Sequence, residues 1–485
     1  MFAVTSRGLA RISSAAVAIL ALASCGGGGT SGGNGGGGSV VTSPNAAPTF
    51  TSGNSVSVIE NTSGTIYTAT ASDADGDALT FARVEGGDAG FFTLSANGAL
   101  AFAPPPNYDL PKDADQDNVY RLTLQAADGK GGTANLAISV TVTNSREGIR
   151  VRRIATQFNA PVDMAFDADG STLLIGERDT SVYRFDPTTG TRSLLSAPLG
   201  FDDVRLLGVE RGFAPAANVY RGTFILYQLA DGRVQIRRLN SSYVDIVGLT
   251  ETGAQTVTGA LSADPNTGEL FAAIGDPFGD LAQNDASGFG KLFRIKANPD
   301  PYAGARANFF FALRVGKGIR EPGGSAPVRG LVWFSDRGAS LMDEINEVSV
   351  VSEPNFGWPF FEGTMPGRPT GLDLSKQPPP RAVLPRGTTA RESRGLTGLA
   401  EYSGPITSLF DQVVAGDRNG SIFSFPLSLL AGSLPVTIGA IERRTEDFVP
   451  DIGTIDSPVA FLASPRGTLF ILDGDGEIFS VENGG

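Results

Sequence analysis

From Gly148 onward the chain repeats one unit: a strand, a turn built on Asp or Gly, and a returning strand. Pro161-Val162-Asp163-Met164-Ala165-Phe166 runs into Asp169-Gly170, Leu261-Ser262-Ala263-Asp264-Pro265 into Gly268-Glu269-Leu270-Phe271, and Val459-Ala460-Phe461-Leu462 into Arg466-Gly467-Thr468-Leu469-Phe470. Recurrence at roughly 40 to 60 residues is the period of propeller blades, each of which buries its faces only against its neighbours. Such units must close into a ring, and the length after Gly148 suits about six of them. With 63 glycines, 30 prolines and dispersed Val, Thr, Phe and Ile runs, the whole chain of 485 residues reads as all-β.

Between Ala47 and Ser145 the strand pattern is shorter and regular: Val56-Ser57-Val58-Ile59, Thr65 to Ala71, Leu79-Thr80-Phe81, Tyr120 to Ala126 and Leu136 to Val142. That spacing predicts a sandwich of about seven strands. Its turns are acidic: Glu60-Asn61, Asp73-Ala74-Asp75-Gly76-Asp77, Asn107-Tyr108-Asp109, Asp113-Ala114-Asp115-Gln116-Asp117 and Asp128-Gly129. Asp-Gly alone is an ordinary hairpin corner. Five clusters in one small module are costly without a cation, and carboxylates are the ligands that calcium takes.

The N-terminus carries Arg7 and Arg11, then an apolar run from Ala15 to Ala23 that is too short for a mature spanning helix and suits an export signal. It ends Leu22-Ala23-Ser24-Cys25, with Cys25 the single cysteine of the chain. Residues 26–45 collapse to Gly, Ser, Thr, Asn and Val with Pro44, a composition that builds no core and tethers flexibly. The expected organisation is a signal peptide over 1–24, an anchored Cys25 and linker over 25–46, a sandwich over 47–147 and a propeller over 148–485.

Three resemblances follow from these stretches. Leu22 to Cys25 resembles a bacterial lipobox, which implies acylation of Cys25 and a lipid anchor in the bacterial cell envelope, on the periplasmic face or the cell surface. The acidic elements of the sandwich resemble cadherin-like repeats, in which such groups converge on calcium at a domain junction. That resemblance implies Glu60, Asp73, Asp75, Asp109 and Asp128 as ligands, with Asp115 and Asp117 beside them, although the family's terminal acidic element is reduced to Thr143-Asn144-Ser145. The third covers nearly all of the remainder. Leu206 to Val209, Thr258 to Leu261 leading to Ile274-Gly275-Asp276, Gly290 to Ile295, Gly318 to Gly324, Asp343 to Asn346 and Asn355 to Pro359, in this order, resemble the soluble quinoprotein glucose and sorbosone dehydrogenases. In that family a histidine removes the hydroxyl proton of a sugar while hydride passes to pyrroloquinoline quinone (PQQ). The resemblance puts Thr256 at the histidine's place, Arg320 against the quinone, the Gly338 and Ala339 carbonyls on calcium, and Glu344 on a structural calcium.

No histidine occurs anywhere in the chain, so a base near neutral pH would have to be a carboxylate, and Asp276, beside Asp280, is the candidate for it. A threonine hydroxyl is far too weak a base. The net charge of -13, with no Lys/Arg stripe, excludes a nucleic-acid partner. The reading is a membrane-anchored, calcium-binding protein whose propeller recognises a saccharide or surface polymer. A PQQ-dependent sugar or polyol dehydrogenase using a carboxylate base is the alternative, followed by a calcium-dependent lactonase or a purely adhesive protein. One consequence needs no structure: Cys25→Ala should move the protein from the detergent phase to the aqueous phase in detergent partitioning, and a variant that stays in the detergent phase would overturn the lipobox reading.

Overall fold

The computed structural model describes residues 44–200, 205–212, 222–239, 246–253, 255–297, 310–348, 353–367 and 378–484, so the export signal, Cys25 and most of the tether lie outside the described residues. No helix among them is long and apolar enough to cross a membrane.

The N-terminal module is a sandwich. One sheet has four strands, in the order Ser55–Ile59, Thr133–Thr143, Val119–Ala127 and Thr80–Val84; the other has three, Thr65–Thr68, Ala99–Phe102 and Phe92–Leu94, and a short pair joins Thr49–Phe50 to Ala71–Ser72. Along Val119–Ala127 burial alternates residue by residue, which puts Tyr120, Leu122, Leu124 and Ala126 inside. Tyr120 meets Phe102 edge to face at 5.0 Å, and Phe92 lies 4.3 Å from Phe102. The strands Phe92–Leu94 and Ala99–Phe102 carry much of this core and do not figure in the strands read from sequence.

From Ile149 the chain builds six four-stranded antiparallel sheets. Their inner strands are Pro161–Phe166, Arg205–Gly212, Gly259–Ala263, Pro322–Val328, Leu396–Tyr402 and Pro458–Ala463, for blades 1 to 6. The last blade is completed from the other end of the propeller: Ile149–Ala155 pairs with Ile478–Asn483, with Ile149 opposite Asn483. Closure matters because blades pack only sideways, so an unclosed ring would leave two faces wet. Strands near the axis crowd each other, which small residues permit. A Cβ on Gly324 would sit 3.0 Å from the Cα of Gly398, and one on Gly398 would sit 2.8 Å from the Phe461 amide.

Sandwich and propeller meet around a guanidinium. Arg444 is 2% exposed, and its Nη1 donates to Asp109 Oδ2 at 3.0 Å, to Asp447 Oδ2 at 2.9 Å and to Glu147 Oε2, while Glu442 lies 3.3 Å from its Nε. Asp109 belongs to the sandwich, Glu147 to the connector, and the others to blade 5 and the segment after it. Burial alone would lower the Arg444 pKa, yet Glu442, Asp109 and Glu147 hold it above its ordinary value. Burial, followed by the neighbouring Asp447, pushes Asp109 up to about 9, since two carboxylates on one guanidinium edge cannot both be fully compensated. Around this knot Arg443 N and Arg391 Nη1 donate to the Asp109 carbonyl at 3.0 Å, and Asn107 Nδ2 donates to Glu442 at 2.8 Å.

Arg444→Met leaves the buried Asp109 and Asp447 and the half-buried Glu147 without their cation. It should lower stability by about 3 to 5 kcal/mol, with the sandwich and propeller melting in two steps rather than one. Calorimetry checks this: a single transition at the parental Tm would show that the knot does not couple the domains.

Candidate functional site

Each blade begins its inner strand at one end of the ring, and its second strand finishes at that same end. The sequence solves the geometry there in a repeated way. The last residue of the second strand is Glu177, Asp336, Asp417 and Asp473 in blades 1, 4, 5 and 6, each opposite the first residue of its inner strand. Three of those first residues are Pro161, Pro322 and Pro458, which have no N–H to give. The loop entering the strand therefore presents its N–H groups before the proline, and the carboxylate takes them. Glu177 accepts from Asn159 N at 2.8 Å, Asp336 from Arg320 N at 2.9 Å and Glu321 N at 2.6 Å, Asp417 from Arg394 N at 2.8 Å, and Asp473 from Asp456 N at 3.1 Å and Ser457 N at 3.0 Å. Gln228 holds the place in blade 2 and accepts from Val257 N at 3.2 Å. A β-bulge follows at the start of the inner strand in five blades, all but blade 3. This signal was open to sequence reading as Glu177-Arg178, Asp336-Arg337, Asp417-Arg418 and Asp473-Gly474, each closing a buried strand.

These loops form a mouth whose exposed rim includes Arg178, Thr256, Arg418, Asn419 and Asp475. Thr256 stands on that rim, held through its neighbours: the Gln255 carbonyl accepts from Gln228 Nε2 at 2.9 Å and Val257 O from Arg205 Nη2 at 2.9 Å. Arg320 turns inward. Its Nη1 donates to Glu321 at 2.8 Å, to Arg337 O at 3.1 Å and to Gly338 O at 2.9 Å, and its guanidinium lies 5.2 Å from the Trp358 ring. A guanidinium thus occupies the Gly338 carbonyl that the resemblance gives to calcium, and Ala339 is exposed. A metal on that carbonyl pair does not fit, because Arg320 would have to be expelled from three acceptors and two cations would compete for one set of oxygens.

Asp276 is not on the rim. It is fully buried; Oδ2 accepts from Leu281 N and Ala282 N at 2.7 Å each, its backbone carbonyl takes the Trp358 indole N–H at 2.8 Å, and Oδ1 has no partner. The side chain staples its own loop and has no path to a substrate, while Asp280 is exposed on that loop. Phe356 packs edge-on against Phe334 at 5.1 Å. Glu344 is buried, accepts from Asn346 Nδ2 at 2.9 Å and from Gly363 N, and is pushed up to about 8 by burial and then by Asp336. It belongs to no metal-sized group of three or more such side chains among the described residues.

In the sandwich the expected ligands separate. Asp73 and Asp128 come together with Asp77, one oxygen of each within 4.8 Å of the others. Oδ2 of both Asp73 and Asp77 is buried without a partner, although Lys130 Nζ sits 2.5 Å from Asp77 Oδ1. Asp75 is not part of that group and accepts from Ala46 N at 2.7 Å. Glu60 lies near the other end of Thr133–Thr143, roughly 30 Å off at about 3.3 Å per residue; there it accepts from Tyr108 N at 2.9 Å and Ser145 N at 3.0 Å. Asp109, at that end too, is committed to Arg444. The junction that calcium was expected to hold is held by arginine. Asp113, Asp115 and Asp117 form a further group, in which Arg121 reaches both Asp115 and Asp117.

Comparison with known proteins agrees with this architecture. Residues 45–143 match the family described as bacterial Ig domain. The propeller has the fold of the soluble sugar dehydrogenases. The PQQ-bound aldose sugar dehydrogenase from Streptomyces coelicolor is 20% identical with a TM-score of 0.50, over 69% of this chain and 98% of that one. The soluble aldose sugar dehydrogenase from Escherichia coli, in its apo form, is 19% identical with a TM-score of 0.50, over 69% and 99%. A glucose dehydrogenase is 22% identical with a TM-score of 0.52, over 68% and 99%. No curated protein matches the chain.

Burial holds the Asp473 carboxyl up to about 6, so the folded chain binds this proton more tightly than the unfolded one. Its contribution to stability is complete below about pH 4 and is lost as pH rises through about 6. Asp473→Asn keeps an acceptor for the loop N–H groups and removes the titration. The fall in Tm between about pH 5 and pH 8 should be smaller in this variant than in the parent; equal falls would remove Asp473 from the account.

Proposed function

We propose that this is an envelope protein, anchored through Cys25, in which a calcium-binding Ig-type module carries a propeller that binds a saccharide or surface polymer without oxidising it. The observation that carries the non-catalytic reading is Arg320. Its guanidinium bonds the Arg337 and Gly338 carbonyls and Glu321, so the position open to a cation in the dehydrogenase resemblance is already filled by the protein's own charge. Thr256 cannot supply the base, and Asp276, sealed in its loop, cannot replace it. What the mouth offers is an open rim of guanidinium, hydroxyl, amide and carboxylate groups, a set suited to hydrogen bonding with a polyol.

Incubated with PQQ, calcium and a panel of aldoses, the protein should reduce a dye acceptor far below enzymatic rates, which are on the order of 1 to 10³ per second. Thr256→His should not rescue it, because the Arg320 arrangement remains. Ordinary turnover by the parent would overturn the reading, and rescue by the variant would show that the rest of the oxidising site is intact. Saccharide binding is read separately, on a glycan array, where Arg178→Ala combined with Arg418→Ala should weaken every hit; a chain that binds no glycan would leave adhesion by other surfaces as the better account.

Calcium is assigned to Asp73, Asp77 and Asp128, on the strength of two buried oxygens without partners and an all-oxygen donor set. At a concentration about 100 times its Kd, a single ion would add about 2.7 kcal/mol of stability. Chelator should lower the Tm of the full chain, and Asp73→Asn with Asp77→Asn should abolish that shift. Identical melting of the parent with and without chelator would remove calcium from the module.

A further inference from the structure

The opposite end of the ring, where the inner strands finish and turn into the second strands, holds a cavity of about 690 Å³. That volume is within the range of small-molecule sites. Its wall is apolar, built in large part by Phe166, Leu261, Leu399 and Phe461. Among the described residues that line it there is no Lys or Arg; its acidic groups are Asp163, Asp167, which is paired with Arg184 at 2.5 Å, and Glu210, which accepts from Ala263 N at 3.2 Å.

Asp163 is the informative group. The bulge between Pro161 and Asp163 sets its side chain in the channel wall rather than in a blade interface. Oδ1 accepts from Met164 N at 2.9 Å and Oδ2 from Val209 N at 3.0 Å. Both partners are backbone dipoles, and no cation among the described residues is bonded to it. Protein encloses the carboxyl on every side but the cavity, and burial pushes it up to about 7. A carboxylate in apolar surroundings with only dipoles for company gains strongly from a positive partner.

We propose that this end of the channel is a binding site for a small amphipathic ammonium compound, its apolar part filling the cavity and its ammonium hydrogen-bonded to Asp163. The cavity runs to the turns at the far end, at Ala168, Pro265 and Pro465, with Asp163 at its inner end, two residues along the strand from Pro161; the proposal stands whether or not the mouth binds glycans. An anion of the same shape is excluded by Asp163, and a neutral alcohol would fill the volume but leave the charge uncompensated.

Calorimetric titration of the full chain with n-octylammonium, n-octanol and octanoate, each below its micellar concentration, tests this. Octylammonium should bind at one saturable site, octanol more weakly, and octanoate undetectably. Asp163→Asn should lower octylammonium affinity roughly 10- to 100-fold and bring it close to that of octanol. Ala263→Phe, which fills the cavity from its wall without touching Asp163, should abolish binding of both and serves should the first variant not fold. Equal binding of octylammonium and octanoate, undiminished binding by either variant, or no saturable binding by the parent would each overturn the proposal.

Discussion

A carboxylate at the end of a buried strand, accepting the N–H groups of the loop that enters the same blade, is the contact on which the loop-bearing mouth of the propeller depends. Near the axis, strands approach too closely for long side chains and three of the six begin with proline, so the backbone just before them is left with donors that the sheets cannot use. Leaving such donors buried and unmet costs about 1 to 3 kcal/mol each. Glu177, Asp336, Asp417 and Asp473 meet that need with one atom group per blade, and the loops they fix are the loops that make the mouth. The rim residues Arg178 and Arg418 follow immediately after two of these carboxylates, so the device that secures the fold also positions what faces solvent.

A second theme is that arginine stands where a metal was expected. With no histidine, and with carbonyls and carboxylates gathered in two places, calcium was the natural expectation at the Gly338 carbonyl and at the domain junction. Arg320 takes the first and Arg444 the second. A guanidinium spreads one charge over several donors in a plane, so it satisfies a fan of oxygens that calcium would otherwise collect. In the Asp73, Asp77 and Asp128 group, the one proposed for calcium, no arginine takes the oxygens, and those of Asp73 and Asp77 include two that are buried and unmet.

The all-β class, the sandwich and the ring were legible because hydrophobic alternation and Asp/Gly corners are local signals with short periods. Phe92–Leu94 and Ala99–Phe102 escaped because they are short strands whose burial comes from the facing sheet. The site residues were harder to read. Asp276 sits in a stretch matching a catalytic family, and only three dimensions reveal that its carboxylate bonds Leu281 and Ala282. Likewise Glu60 and Asp73 belong to one set in sequence, yet the strand Thr133–Thr143 holds their neighbourhoods apart. Sequence order shows which groups are acidic; the partner of each acid is a long-range property, and Arg444, more than 330 positions after Asp109, is the extreme case.

The strand that completes blade 6 has a mechanical meaning. Ile149–Ala155 is at once the closing seam of the ring and the first strand after the sandwich. A pull on the segment preceding the sandwich, resisted by anything held on the propeller, runs along the axis of that strand and loads its pairing with Ile478–Asn483 in shear. Bonds in shear share tension, whereas bonds peeled from one end break in turn. Ahead of the seam stands the Arg444 knot, which ties sandwich, connector and blade into one body, so traction spreads into the propeller before it reaches the seam.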